Sequence, residues 1–158
     1  MTECLTGRCT CGQMSYRMTA APMITHACHC SWCQRETGTA FALNTLIETD
    51  RLQVMGAVDY VMTPSASGKG QEIARCPSCR VAVFSHYAGA GRVLAFVRVG
   101  TLDTPAACPP DVHIFTATKQ PWVVFPEGAK VFAEYYKSAE VWSPEALERR
   151  RAALAKVS

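Results

Sequence analysis

The sequence pattern predicts a mainly β domain of packed antiparallel sheets, pinned by cysteine knuckles and followed by a short C-terminal helix. Three observations carry this. Short apolar runs recur between Gly and Pro turn signals, which is the signature of many short strands. Seven of the nine cysteines stand in tight groups. A strong helix start appears only late, at Ser143-Pro144-Glu145.

Residues 13–18 (QMSYRM) follow Gly12 and read as the first strand. Residues 39–46 (TAFALNTL) follow Gly38 and read as the next. Residues 52–55 and 60–63 flank Gly56 and predict a hairpin. The Ser65–Gly70 run (SASGKG) is a loop tip, and residues 71–75 lead as a strand into Cys76. Residues 81–87 and 92–99 bracket Ala88-Gly89-Ala90-Gly91, a second hairpin signal. The second of these runs is apolar enough for a central, buried strand. Residues 112–117 form a strand after Pro109-Pro110. Residues 130–137, with Tyr135 and Tyr136, suggest a short helix. Ser143 is a fit N-cap, with Pro144 at the first helical position and Glu145 in the first turn, so residues 146–156 read as a polar, Arg-rich helix. Residues 1–140 are expected to form one metal-binding domain and residues 141–158 a helical extension.

Composition narrows the function classes. A chain of 158 residues suits one domain, given a prior of ~100–200 residues per domain. With 49% hydrophobic and 18% charged residues it is not a disordered polymer. No apolar run approaches the ~18 residues of a membrane span. Met1-Thr2-Glu3-Cys4 lacks a basic n-region and an apolar h-region, so no secretory signal is expected and a cytoplasmic location is. The net charge is +3, and Arg149, Arg150, Arg151 and Lys156 against Glu145 and Glu148 account for +2 of it. The body is nearly neutral, which disfavours nucleic acid as a partner.

The cysteines are the informative feature. Cys9-Thr10-Cys11 is C-x-C, Cys28-His29-Cys30-Ser31-Trp32-Cys33 is C-x-C-x-x-C, and Cys76-Pro77-Ser78-Cys79 is C-x-x-C. An odd count in a chain of this size argues against a disulfide framework. A thioredoxin-type pair at Cys76/Cys79 would need a helix starting there, whereas a strand-like run follows. Metal binding remains: sulfurs one or two residues apart turn toward a common point, and zinc takes tetrahedral thiolates. Thiolates equally suit iron–sulfur clusters. A closed structural site uses four protein ligands and a catalytic site leaves a position open. Seven thiolates therefore divide as four and three: Cys9, Cys11, Cys76 and Cys79 in one site, and Cys28, Cys30 and Cys33 in the other. A rival grouping joins Cys30 and Cys33 with Cys76 and Cys79 as a zinc ribbon. Spacing leaves it open, although three cysteines within six residues favour two sites. The four histidines are expected to be surface or hydrogen-bonded core residues; of them His26 could reach the second site. Cys108 reads as an ordinary buried or loop thiol and Cys4 as part of a fraying terminus.

Gly7-Arg8-Cys9-Thr10-Cys11-Gly12 with Tyr16, Cys28-His29-Cys30-Ser31-Trp32-Cys33-Gln34-Arg35 with Gly38, and Cys76-Pro77-Ser78-Cys79 resemble the glutathione-dependent formaldehyde-activating enzyme family. That family is grouped with centromere protein V-like domains. The resemblance spans roughly residues 5–135 and implies an Mss4-like fold, a β-tent of packed sheets. It implies two Zn2+ per chain: a structural zinc on Cys9, Cys11, Cys76 and Cys79, and a catalytic zinc on Cys28, Cys30 and Cys33. It further implies carbon–sulfur lyase-type chemistry, a glutathione-like thiol condensing with formaldehyde or a related small aldehyde at the open three-cysteine site. Glutathione carries two carboxylates, which makes Arg35 the first candidate for substrate binding and Arg75 and Arg80 the next. His26, His29 and Tyr87 are the candidate proton donors, and Trp32 is a candidate pocket wall. The alternative is a zinc-stabilised binding module without catalysis. Two positions depart from the family pattern: Arg80 stands where relatives commonly have Gly, and Gln34-Arg35 follows Cys33.

Overall fold

In the computed structural model, which describes residues 4–157, ten strands form two sheets. The strands are β1 (Thr6–Arg8), β2 (Ser15–Met18), β3 (Ile24–Cys28), β4 (Ala42–Glu48), β5 (Leu52–Met55), β6 (Asp59–Thr63), β7 (Gln71–Arg75), β8 (Ala82–Tyr87), β9 (Leu94–Arg98) and β10 (Val112–Ile114). The helices are α1 (Ser31–Thr37), α2 (Ser138–Val141) and α3 (Pro144–Ala155). The smaller sheet has the order β1-β2-β5 and the larger β10-β3-β4-β9-β8-β7-β6. All strand pairs are antiparallel except β10, which runs parallel to β3. The fold is therefore mainly β with a short C-terminal helix, as the sequence predicts. Met1 to Glu3, most of the stretch read for a signal segment, lie outside the described residues.

Alternation along the central strands divides the interior into two cores. On β4, Ile47 faces one core and Leu46 the other; on β9, Ala95 and Leu94 divide in the same way. The first core joins the two sheets through Met14, Tyr16, Met18, Val83, Phe84 and Val97, all at most 1% exposed. Each such burial contributes about 1.5–3 kcal/mol. The second core packs Met23, Ile24, Val112 and Ile114 against Tyr136, Trp142, Ala146 and Ala153 of the C-terminal segment.

The hairpin predicted between β8 and β9 forms, with Phe84 opposite Val97. The one predicted around Gly56 does not. β5 pairs with β2 in the small sheet and β6 with β7 in the large one. Gly56 marks the crossing between sheets: it has φ +91°, and a Cβ there would sit 2.0 Å from the Gln13 carbonyl oxygen. The helix predicted over residues 130–137 is absent. That segment runs beside β10 through Lys130 and Phe132, whose backbones bond His113, and helix begins only at Ser138. α3 starts as predicted, with the Ser143 hydroxyl accepting the Ala146 N–H. Glu48 on β4 accepts two hydrogen bonds from Arg149 of that helix, at 2.8 and 2.6 Å.

Candidate metal centre and active site

Each cysteine group is built by a turn that the backbone closes. After β1, Cys9 N–H donates to the Met14 carbonyl and Met14 N–H donates to Cys9 Sγ. After β7, Arg80 N–H returns to the Cys76 carbonyl. Arg80 holds φ +64° here, so this knuckle keeps the left-handed turn that glycine would favour. A non-glycine residue pays roughly 1–2 kcal/mol for that conformation. The two turns bring Cys9, Cys11, Cys76 and Cys79 together with all sulfurs within 4.8 Å of one another. Cys9 and Cys11 sulfurs are 3.5 Å apart, and Cys11 and Cys76 sulfurs 3.6 Å. A tetrahedral zinc with Zn–S bonds of ~2.3 Å needs sulfurs about 3.8 Å apart, so the donor set fits such an ion. Backbone N–H groups of Cys11 and Val81 aimed at Cys79 hold its thiol down to about 6, in the form that ligates metal.

The second group lies where β3 ends and α1 begins. Cys28 closes the strand, and Cys30 is the N-cap of α1, its sulfur accepting the Cys33 N–H at 3.3 Å. Gly38 ends the helix in the left-handed conformation. The sulfurs of Cys28, Cys30 and Cys33 also lie within 4.8 Å of one another. This helix was missing from the sequence reading. Thiol hydrogen bonds from Cys28 and Cys33 hold Cys30 down to about 2, and the bond to Cys30 pushes Cys28 up. Negative charge thus centres on Cys30, at the positive end of a helix. The chain assembles the four-and-three grouping, and Cys76/Cys79 meets Cys9/Cys11 rather than Cys30/Cys33. All nine cysteines are free.

The trio opens onto a cavity whose lining does not include the four-cysteine group. It has a volume of about 260 Å³, and Cys28, Cys30 and Cys33 share its lining with His26, Trp32, Asn44, Gln71, Tyr87, Phe96 and Tyr135. Ser65 to Ser67, in the loop between β6 and β7, form part of its wall. Behind Asn44, the buried Arg98 donates to Asn44 Oδ1 at 2.7 Å and to Ser85 Oγ at 3.0 Å, fixing that wall. Phe115, also in the lining, holds φ +53°, a strained conformation for an aromatic residue. Sequence reasoning missed Asn44, Gln71, Phe96 and Phe115, because strand register alone brings them here.

The other sequence candidates separate. His26, Tyr87 and Trp32 face the cavity. Burial pushes His26 down to about 4 and Tyr87 upward, so both are neutral near pH 7. His29 is fully buried against His113, at 3.0 Å, between the rings of Phe41 and Phe125. All four histidines are buried and hydrogen-bonded. Arg35 lies in a separate groove with Ser31, Gln34 and Trp122. Arg75 pairs with Glu36, and Arg80 with Asp59 at 2.5 Å. Cys108 is buried in the first core, and Cys4 is exposed and accepts a hydrogen bond from Arg17. Among the described residues, no helix is long and apolar enough to cross a membrane.

The fold is mainly β and carries two convergent cysteine groups, each of which could hold a metal ion, one of them on a cavity wall. The family model for glutathione-dependent formaldehyde-activating enzymes matches residues 4–118. The chain belongs to that family. Among solved structures, the crystal structure of a Rhodobacter sphaeroides protein is similar at 19% identity and a TM-score of 0.47, over 62% of this chain and 87% of that one. No curated protein matches the chain.

Proposed function

We propose that the chain is a zinc-dependent enzyme of carbon–sulfur lyase type that condenses a glutathione-like thiol with formaldehyde or a related small aldehyde. One observation supports this above the rest: the three-cysteine group lines the apolar cavity that also holds His26, Trp32 and Tyr135, and the four-cysteine group does not line it. In this reading Cys9, Cys11, Cys76 and Cys79 hold a structural zinc, and Cys28, Cys30 and Cys33 a catalytic one. Zinc held by the trio would supply Lewis acidity and one coordination position for a thiol.

The residues around it do the rest. A carbon–sulfur bond forms between the thiol sulfur and the carbonyl carbon, and the thiol proton ends on the former carbonyl oxygen. Trp32, Phe96 and Tyr135 present apolar surface that keeps water from competing for the aldehyde. Arg98 holds the Asn44 amide still in the cavity wall. Arg35 is proposed to meet a carboxylate of the tripeptide where it leaves the cavity past Trp32. Seven clustered thiols suited to metal binding favour a reducing, cytoplasmic setting, and residues 1–140 act as the zinc-binding domain, with residues 141–158 as an extension docked on it.

Metal analysis combined with turnover tests this. Two zincs per chain are expected, one of them lost on mild chelation with the fold retained, together with consumption of formaldehyde that depends on glutathione. A single tightly held zinc and no thiol-dependent consumption would instead make the chain a binding module.

A further inference from the structure

Register sets a buried positive charge on the cavity side of the large sheet. His26 of β3 lies opposite Asn44 of β4, and Asn44 lies opposite Arg98 of β9. Side chains opposite each other on paired strands share a sheet face. Cys28 is two residues on from His26, so it lies on that face as well. Arg98 is only 9% exposed and sits outside the cavity lining, behind Asn44.

A buried cation ordinarily has an anion beside it, because an uncompensated charge in the interior is costly. Among the described residues, no carboxylate pairs with Arg98. Glu36, the carboxylate of α1, is held by Arg75. The Arg98 guanidinium donates to two neutral oxygens, Asn44 Oδ1 at 2.7 Å and Ser85 Oγ at 3.0 Å. These bonds satisfy donors and leave the charge unbalanced. Its field reaches Cys33 and Tyr87, both in the cavity lining.

The three-cysteine site is where negative charge would gather. Three thiolates around a divalent zinc leave one net negative charge, and a thiolate in the open position adds a second. A neutral ligand there adds none. A fixed positive charge nearby favours the first case over the second.

We propose that Arg98 is a specificity-determining residue of the three-cysteine site: its buried, unpaired guanidinium balances the charge of a fourth, thiolate ligand and so selects anionic sulfur over a neutral ligand. The inference rests on the thiol reading above and adds the residue that sets the charge of the ligand taken. Arg98 acts as a fixed charge from behind the Asn44 wall. Arginine suits this role because it keeps its proton in the interior.

The test uses the full chain, stripped of labile metal by mild chelation and refilled with cobalt, whose sulfur charge-transfer bands report bound thiolates. The anionic probe is 2-mercaptoethanol, which has no carboxylate, and the neutral probe is imidazole, used at about pH 8 where it is uncharged. In the wild type 2-mercaptoethanol adds a sulfur band, and Cys30→Ala abolishes it. Arg98→Gln keeps an amide donor for Asn44 and removes the charge. It weakens 2-mercaptoethanol binding about 10-fold and leaves imidazole binding within about twofold. Arg98→Lys keeps the charge without the fork and stays closer to the wild type than Arg98→Gln does. Equal losses for both probes would make Arg98 a brace for Asn44 and overturn the proposal. So would wild-type 2-mercaptoethanol affinity in Arg98→Gln, or an Arg98→Lys variant as weak as Arg98→Gln. If the probes behave as expected but glutathione and formaldehyde are never consumed, the proposed activity fails and this inference stands. A trio that takes up no cobalt overturns both. Should Arg98→Gln not fold, Arg98→Met supplies the same readouts, since apolar residues of similar volume often replace buried ions without loss.

Discussion

The two cysteine groups use the same side chain for opposite ends. Cys9, Cys11, Cys76 and Cys79 come from turns on two different sheets, and two of the four are at most 2% exposed. Cys28, Cys30 and Cys33 come from one stretch of six residues, and Cys30 and Cys33 remain partly exposed on the cavity wall. Joined by an ion, the first set would close a long loop in the chain and the second almost none. Loop-closure entropy would then make the first the larger contributor to stability, while the second borders a cavity with room for a ligand. Span along the sequence is therefore what would separate an architectural metal site from a chemical one in the proposed reading.

The strongest way to break that comparison is Cys76→Ala. Metal binding at such sites carries apparent free energies of about 10–16 kcal/mol that are folding energy. Loss of one of four ligands is expected to abolish cooperative thermal unfolding and to leave aggregated protein; a normal melting curve would refute the architectural role. Cys30→Ala should do the reverse. It removes one metal equivalent and all thiol–aldehyde turnover, yet costs only about 1 kcal/mol, the worth of an N-cap. Turnover that survives this change would show that the trio is not the reaction centre.

Smaller effects sharpen the picture at each end. Burial raises the Glu48 pKa, but the hydrogen bonds from Arg149 outweigh it and leave the carboxyl below its usual 4.5. A depressed carboxyl stabilises the fold above its unfolded pKa and loses that contribution as pH falls through the folded value. α3 is therefore expected to undock below about pH 4.5, seen as loss of amide-exchange protection in residues 144–155. Glu48→Gln should reproduce part of this at pH 7, at a cost of about 2 kcal/mol. The smallest effect is a gain: Arg80→Gly relieves the left-handed strain and should stabilise the four-cysteine knuckle by about 0.5–1 kcal/mol, read as a higher Tm. No gain would mean that the Arg80–Asp59 pair already offsets the strain.

Local chemistry was legible in the sequence and long-range register was not. The knuckles, the β8–β9 hairpin and the Ser143 cap are written in neighbouring residues. Gly56 was misread because a glycine at a hairpin and one at a sheet crossing look alike. What separates them is the Gln13 carbonyl, more than forty residues earlier in the chain. α1 was missed because its cap is a thiol and its first turn holds no acidic residue, against the usual start signals. Asn44 and Gln71 sit mid-strand or at a strand start, so only pairing decides that they face the cavity. Tyr136 and Trp142 join His26 across more than a hundred residues, which no spacing rule can anticipate.

Glu36, on the helix that holds Cys33 and is capped by Cys30, pairs with Arg75, the residue immediately before Cys76. The same guanidinium also reaches the Arg80 carbonyl just past Cys79. One cation therefore clamps the frame of both knots of sulfur. An engineer grafting the C-x-C-x-x-C stretch onto another scaffold would have to transplant that clamp with it, or supply a substitute for the anchorage it provides.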